Sequence, residues 1–312
     1  MAEYKERAND IVLAGVYEEI ITVNDMWPLL QMMGMSGNSF TYNRESSHPA
    51  SSVFGIGSTL TDSEPVLTQK TALLKEVYTQ PKIDRFAKQT LGNVQSQEGL
   101  VLAQGLRSIS EEISRLIVNG DSAVNTLEFD GLDKMCRAET RMMAMDDGNV
   151  DGPGTAETEL TMDRLDQMIH QVKPGKPDAL ILNRTMKRKL SSLARSAGSG
   201  LVTTDRNGFG MMVTYYDGIP LVENDHIGNA QVYADSGTWP SSTATSIYGV
   251  KFGQANSGFV LLHNGPVLKP DIKPLGTKFD KNEDVYRIVA YLGTMLLSTK
   301  SIIALAGIDS SA

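Results

Sequence analysis

The residues whose types and spacing could do chemistry are few. Asp147-x-Asn149-x-Asp151-Gly152 has the opening of a calcium loop, with oxygen ligands that suit a hard cation. The bidentate glutamate of such a loop belongs at its twelfth position. That position is Thr158, with Glu157 and Glu159 out of register on either side, so the segment reads as a solvated loop. Cys136 with His170 or His226 would make a nucleophile and base. No nucleophile elbow or cysteine-protease signature surrounds it, and an unpaired cysteine is ordinarily a small buried hydrophobe. His48, His170, His226 and His263 lack metal-ligand spacing. Arg184, Lys187, Arg188, Lys189 and Arg195 share one segment with no acidic residue among them, which makes either a phosphate- or partner-facing patch or a solvated helix face. There is no Walker loop and no dinucleotide fingerprint. The expectation is therefore no catalytic, cofactor-binding or metal-binding residue, no cofactor and no enzyme.

The bulk properties narrow the class further. The 312 residues are 41% hydrophobic and 21% charged, enough for two average domains or one large one with an ample core. A net charge of −8 argues against a dedicated nucleic-acid binder, which needs a basic footprint to neutralise phosphates. One cysteine excludes an intrachain disulfide. The amino terminus MAEYKERAND lacks the apolar region of a secretory signal, and no uninterrupted apolar run approaches the roughly 18 residues of a membrane span. A soluble protein made in a reducing cytoplasm is expected.

The element that must organise the rest lies between Gly92 and Leu132. Leu102, Leu106, Ile109, Ile113, Leu116 and Ile117 recur at three- and four-residue steps and form one stripe of a long helix. Ser110, Glu111, Glu112, Ser114 and Arg115 are expected largely on the other side. The stop falls at Asn119-Gly120-Asp121, where glycine can take the left-handed conformation. Before the helix, Val12, Val16, Ile20, Val23 and Trp27 suggest a short amphipathic helix ending near Pro28, and Ser39–Arg44 alternates as a half-buried strand does. Ser46–Pro81 reads as a long two-stranded excursion, with Val66–Gln80 as a strand, and it has too little core to stand alone.

After the helix, Thr161 caps a helix that breaks at Pro174. Ala179–Leu182 reads as a buried strand and Asn183–Ala197 as a helix with Met186, Leu190, Leu193 and Ala194 inward. Leu201–Gly210 reads as a polar loop. Strands are expected at Met211–Tyr216, Ile219–Val222, Gln231–Ala234, Ser246–Phe252, Val285–Leu297 and Ser301–Ala306. Helices and strands mix without a regular alternation, so the fold class is α+β and a doubly wound parallel sheet is not expected.

Taken in order, these segments resemble the major capsid proteins of tailed bacteriophages, the Hong-Kong-97-type capsid fold. Phe129-Asp130-Gly131-Leu132 follows the helix. PDALILNRTMKRKLSSLARSAG (Pro177–Gly198) looks like the family's strand-then-helix segment, and YDGIPLVENDHI (Tyr216–Ile227) like its G-x-P-V strand and turn. IYGVKFG (Ile247–Gly253) and VYRIVAYLGTMLLSTKSIIALAGI (Val285–Ile308) look like its closing strands.

The resemblance implies an N-terminal arm at 1–45, an extended E-loop at 46–81, a P-domain at 82–160 and 281–300 with a spine helix at about 93–118, and an A-domain at 161–280 and 301–312. It implies a structural subunit that self-assembles into hexamers and pentamers of an icosahedral phage head. Its place would be the virion, assembled in the host bacterial cytoplasm. The partners implied are further copies of itself, scaffolding, portal and decoration proteins, and packaged double-stranded DNA contacted non-specifically, with no membrane. Because the arm begins almost at Met1, a separate scaffolding protein is the expected arrangement. Some relatives crosslink an E-loop lysine to a neighbour; Lys70 and Lys75 lie in that loop, and no crosslink is assigned to them. An encapsulin-type nanocompartment shell is the alternative within the fold, and a soluble Cys136/His170 hydrolase the alternative outside it.

Overall fold

The computed structural model describes residues 26–53, 55–57, 59, 62–90, 97–150, 152, 157–196, 200, 202–206, 212–231, 243–255, 257–264 and 270–311. The expected helix around Val12–Val23 therefore lies outside the described residues, as do the first residues of the expected spine and most of the Gln231–Ala234 strand.

In chain order the strands are Met32–Gly34 (β1), Ser39–Ser47 (β2), Val66–Leu73 (β3), Lys75–Thr79 (β4), Lys82–Asp84 (β5), Met142–Ala144 (β6), Ala179–Leu182 (β7), Val202–Arg206 (β8), Met212–Tyr216 (β9), Ile219–Glu223 (β10), Ala244–Val250 (β11), Phe259–His263 (β12), Asp271–Thr277 (β13), Glu283–Leu296 (β14) and Ile302–Asp309 (β15). The α-helices are Arg85–Thr90 (α1), Gln97–Asn119 (α2), Leu132–Ala138 (α3), Met162–His170 (α4) and Arg184–Ser196 (α5). The class is α+β.

The long helix α2 forms where its apolar spacing places it, and Leu102, Leu106, Ile109, Ile113, Leu116 and Ile117 are all buried. Two details differ from expectation. Ser110 and Ser114 are also buried, at 1% and 4% exposure, because a serine is small and Ser114 Oγ satisfies itself on the Ser110 carbonyl one turn back, at 2.9 Å. The helix stop works by space rather than by a left-handed residue. Gly120 is absent from the residues with positive φ. A Cβ at Gly120 would lie 2.3 Å from the Phe129 carbonyl oxygen, and one at Gly131 would lie 2.6 Å from that of Leu116. The two glycines let the returning chain pass against the helix end, and the Gly131 amide donates to the Gly120 carbonyl at 2.8 Å.

Two sheets share α2. One has the order β1-β12-β14-β13, with β4 and β5 also pairing along the long strand β14; the other has the order β6-β15-β11-β7-β10-β9-β8. Side-chain alternation divides each sheet between two cores. In β7, Ala179 and Ile181 pack toward α2 and α3, whereas Leu180 and Leu182 pack toward α4 and α5. Likewise in β12, Phe259 and Leu261 face the α2 core while Val260 and Leu262 face a small third cluster. Strands buried on both faces carry near-continuous apolar runs, which is why β7, β12 and β15 lack alternation in sequence.

The helices over the second sheet are fixed by caps. Thr161 Oγ1 accepts the Arg164 amide at the start of α4. Asn183 Oδ1 accepts the Met186 amide at 2.8 Å at the start of α5, while its Nδ2 reaches Asn229 Oδ1 at 2.5 Å and Thr245 Oγ1 at 3.0 Å. One buried side chain thus ties a helix start to a loop and a strand.

The two-stranded unit is built differently from the sequence reading. Its strands are β2 and β3, paired antiparallel from Ser39↔Leu73 to Ser47↔Val66, so the strand assigned to the arm is half of the ribbon. The Val66–Gln80 run breaks at Leu74, after which β4 pairs with β14. The root of the ribbon packs on the face of the first sheet opposite α2, where Phe40, Tyr42 and Ala72 meet Val260, Leu262 and Met295. Sheet membership also crosses the boundaries drawn in sequence: β6 joins the second sheet, and β12 and β13 join the first.

Candidate assembly surfaces

Among the described residues, Cys136, His170 and His226 make no hydrogen bond to one another. Cys136 lies on α3 inside the α2 core. Burial pushes its thiol pKa up, Asp133 adds to that, and Arg141 opposes it only in part, so the nucleophilic thiolate is disfavoured. His170 is exposed at the end of α4 with Nδ1 on the Asp166 carbonyl at 2.7 Å. His226 sits beyond the helix stop, where its carbonyl accepts from Asn119 Nδ2 at 2.6 Å. The Asp147 carboxylate accepts the Asn149 amide at 2.9 Å and Asn149 Nδ2 at 2.7 Å, which closes a turn. Asp151 lies outside the described residues, and among those described no group of three or more His, Cys, Asp or Glu could hold a metal.

The basic residues of α5 divide by use. Lys187 pairs with Glu223 at 2.5 Å and Lys189 donates to the Asp309 carbonyl at 2.6 Å, which docks the helix on the sheet. Arg184 and Arg188 point to solvent. Of the two lysines noted in sequence, Lys70 of the ribbon donates to Glu139 at 3.3 Å, and Lys75 lies beyond the ribbon in β4 and donates to the Thr126 carbonyl at 2.6 Å.

What the fold does present is apolar surface on projecting connections. Val53 and Ile56 beyond the ribbon strands are fully exposed, and Val66 and Leu67 are more than half exposed. In the β13–β14 connection Phe279 is fully exposed, and Leu275 near the end of β13 is half exposed. The loop between α2 and α3 presents Val124 and Leu127. Exposed apolar residues scattered singly are ordinary, and Leu73, Tyr78, Phe86 and Tyr291 on strands and α1 are of that kind; Val53, Ile56, Val124, Leu127 and Phe279 instead lie on three connections.

The third connection is rigidly held. Arg115 pairs with Glu112 at 2.7 Å and reaches across to Glu128 at 2.8 Å. Asp121 accepts the Ala123 amide at 2.8 Å and pairs with Lys134 and Arg137 at 3.3 and 3.4 Å. Burial works against the Asp121 anion, but those three partners outweigh it and hold its carboxyl below the usual range. Asp133, by contrast, has its carboxyl pushed up by burial, with Arg137 and the Tyr248 hydroxyl opposing. Its contact with Tyr248, 3.1 Å, ties α3 to β11 of the second sheet. A rigid loop holding out Val124 and Leu127 has the form of a docking element.

No protein-family model matches the sequence, and neither does any curated protein. Solved structures do. A chain of the holo-SrpI encapsulin complex from Synechococcus elongatus PCC 7942 aligns over 92% of this chain and 88% of its own, with a TM-score of 0.69 at 15% identity. A chain of Microbacterium phage Oxtober96 aligns over 92% and 91%, with a TM-score of 0.61 at 12% identity. The capsid of the native GTA particle aligns over 90% and 89%, with a TM-score of 0.60 at 11% identity. This chain has the Hong-Kong-97-type capsid fold. The matches cover 90–92% of this chain, so the Hong-Kong-97-type fold takes in most of both sheets and not one of them alone.

Proposed function

We propose that the chain is the major shell subunit of an icosahedral phage head, assembling as hexamers and pentamers around double-stranded DNA. The observation that carries this reading is the set of exposed apolar connections on a Hong-Kong-97-type fold: the ribbon tip, the β13–β14 connection and the α2–α3 loop. Such surface is costly on a free subunit and is removed from water when copies pack together. Obligate interfaces of about 2,000–5,000 Å² bury enough to stabilise a ribbon that lacks its own core. Closed symmetric shells repeat the same contacts.

In this reading the ribbon 39–73 is the core of the extended loop, α2 with the first sheet forms the P-domain, and the second sheet with α4 and α5 forms the A-domain. The subunit's work is mechanical, and no residue is assigned to catalysis. A scaffolding protein, a portal and decoration proteins are its further partners, and the host bacterial cytoplasm is where it assembles. The net charge of −8 suits a container that must not hold its nucleic acid tightly.

The test separates assembly from folding. Phe279→Ser and Leu127→Ser remove exposed apolar groups, so subunit unfolding should stay within about 0.5 kcal/mol of the parent. Particle yield, read by sedimentation, should fall about tenfold or more in at least one variant, as for a contact worth more than about 1 kcal/mol. Unchanged yield in both would oppose the reading. A nanocompartment shell is the second reading, favoured by the TM-score of 0.69 to an encapsulin chain against 0.61 and 0.60 for the phage and GTA chains. The contents of purified particles separate the two: nuclease-protected DNA for a head, a protein cargo for a compartment.

A further inference from the structure

We infer that Glu139 is the strut that sets the angle of the β2–β3 ribbon and, through it, the geometry of the assembled shell. The inference rests on the shell reading for its consequence and on this chain's own contacts for its cause. Among the described residues, the ribbon's side-chain hydrogen bonds and ion pairs to the body converge on two points. At the root, the Tyr42 hydroxyl donates to the Leu296 carbonyl at 2.8 Å. Next to it, one oxygen of Glu139 accepts from Lys70 of β3, which lies opposite Tyr42, at 3.3 Å and from Arg44 of β2, two residues farther out, at 2.6 Å. A single carboxylate therefore grips both strands. The Arg44 and Glu139 side chains are only 11% and 19% exposed, so the pair is partly shielded from solvent and from salt.

The mount is stiff where the ribbon is not. Glu139 follows α3 directly, and three residues later the chain enters β6, all of whose residues are buried. The Arg141 amide donates to the Cys136 carbonyl at 2.7 Å across the intervening turn. That turn forces Thr140 to φ 52°, a conformation that β-branched residues rarely adopt. Strain of this kind persists only where the surrounding structure imposes it, and it accompanies groups that must be aimed. On either side of the Glu139–Arg44 contact the ribbon stands clear of the body over concavities of about 310 and 950 Å³, both lined by these two residues. The ribbon is thus a lever fixed at its root and propped at one further point.

Lever length makes the prop consequential. From the root contact at Tyr42 to Ser47 the strand runs about 17 Å at roughly 3.4 Å per residue. A swing of about 10° at the root moves the far end of the strand by about 3 Å, and packed contacts do not tolerate such displacement. Every copy in a shell repeats the error. Losing the strut should therefore change which curvature closes, while leaving the subunit folded, because Glu139 lies outside the three apolar clusters.

The experiment uses the full chain and Glu139→Gln, which keeps the size of the side chain and removes its charge. Parent particles should show one diameter by electron microscopy; E139Q should give mixed diameters or open sheets, and Arg44→Glu alone should do the same. The double variant R44E/E139R restores opposite charges at the strut and should return the single diameter. A packing role alone would not be rescued by the swap. In the unassembled subunit, amide exchange in residues 39–47 and 66–73 should rise about tenfold or more in E139Q, the effect of losing one charge-assisted hydrogen bond, with no change in α2. Parent-like diameters together with parent-like exchange in E139Q would overturn the inference. If the parent forms no particles, the shell reading fails, and the exchange comparison alone decides whether Glu139 props the ribbon.

Discussion

Ile109→Pro should leave the chain unable to form folded subunits or particles. Ile109 lies in the middle of α2, 2% exposed, within the core shared by both sheets. Proline there removes an internal helix hydrogen bond and drives its ring against the preceding turn, at about 3 kcal/mol or more. Losing the isoleucine side chain from a packed core adds roughly 1–3 kcal/mol. Set against a total stability of about 5–15 kcal/mol, the sum removes a large share. The same proline at Gly152, where an added Cβ would meet nothing within 4 Å, should leave folding and assembly close to the parent. Soluble yield, circular dichroism and sedimentation of the two variants measure the contrast. Equal assembly by both would mean that α2 is not the element on which the molecule is built.

Gly131→Val should destabilise nearly as much, through a contact that sequence does not display. A Cβ at Gly131 would approach the Leu116 carbonyl oxygen to 2.6 Å, the Gly120 nitrogen to 2.7 Å and the Val118 carbonyl oxygen to 2.8 Å. All three are backbone atoms of the helix end and cannot rotate aside. Relief requires the chain to part from α2 at the point where the Gly131 amide is bonded to Gly120. A cost of about 3 kcal/mol or more is expected, read as a lowered denaturant midpoint. Gly228→Ala is the control. Its nearest neighbour would be 3.8 Å away, and it should change stability by less than about 0.5 kcal/mol. Because the Gly120–Gly131 crossing positions the loop that holds out Val124 and Leu127, any G131V subunit that does fold should also assemble poorly.

The parts of the fold that sequence made legible are those with a strong period or a strong cap. The α2 stripe, the Thr161 cap and the Met186–Leu190–Ala194 face of α5 each follow from side-chain spacing alone, and each is present. What escaped has a physical reason in each case. The strands β1 and β6 have three residues apiece, too short for any period. Strand β12 is FVLLH, buried on both faces, so it shows no alternation. Strand β13 is interrupted by Pro274 and Gly276, where the register slips in a bulge. Strand β8, VTTDR, is a polar edge strand that reads as a loop.

The ribbon was legible as an excursion but not in its pairing. Phe40 and Tyr42 of β2 pack on a distant face of the first sheet, and nothing local in the sequence names that partner or the strand β2 pairs with. Of the candidate surfaces, the basic face of α5 was visible in sequence. Glu139 was not, because nothing local distinguishes a carboxylate that will meet Arg44 and Lys70 across the fold. The exposed Phe279, Val124 and Leu127 likewise look in sequence like any loop hydrophobe, and only their exposure marks them.

The most direct measurement is electron microscopy of the full-length protein expressed alone and with a scaffolding protein. Closed shells of uniform diameter, built from six-fold and five-fold rings of this chain, are the predicted result. Only monomers or dimers under every condition, with the scaffold supplied, would contradict the assignment of this chain as a shell subunit.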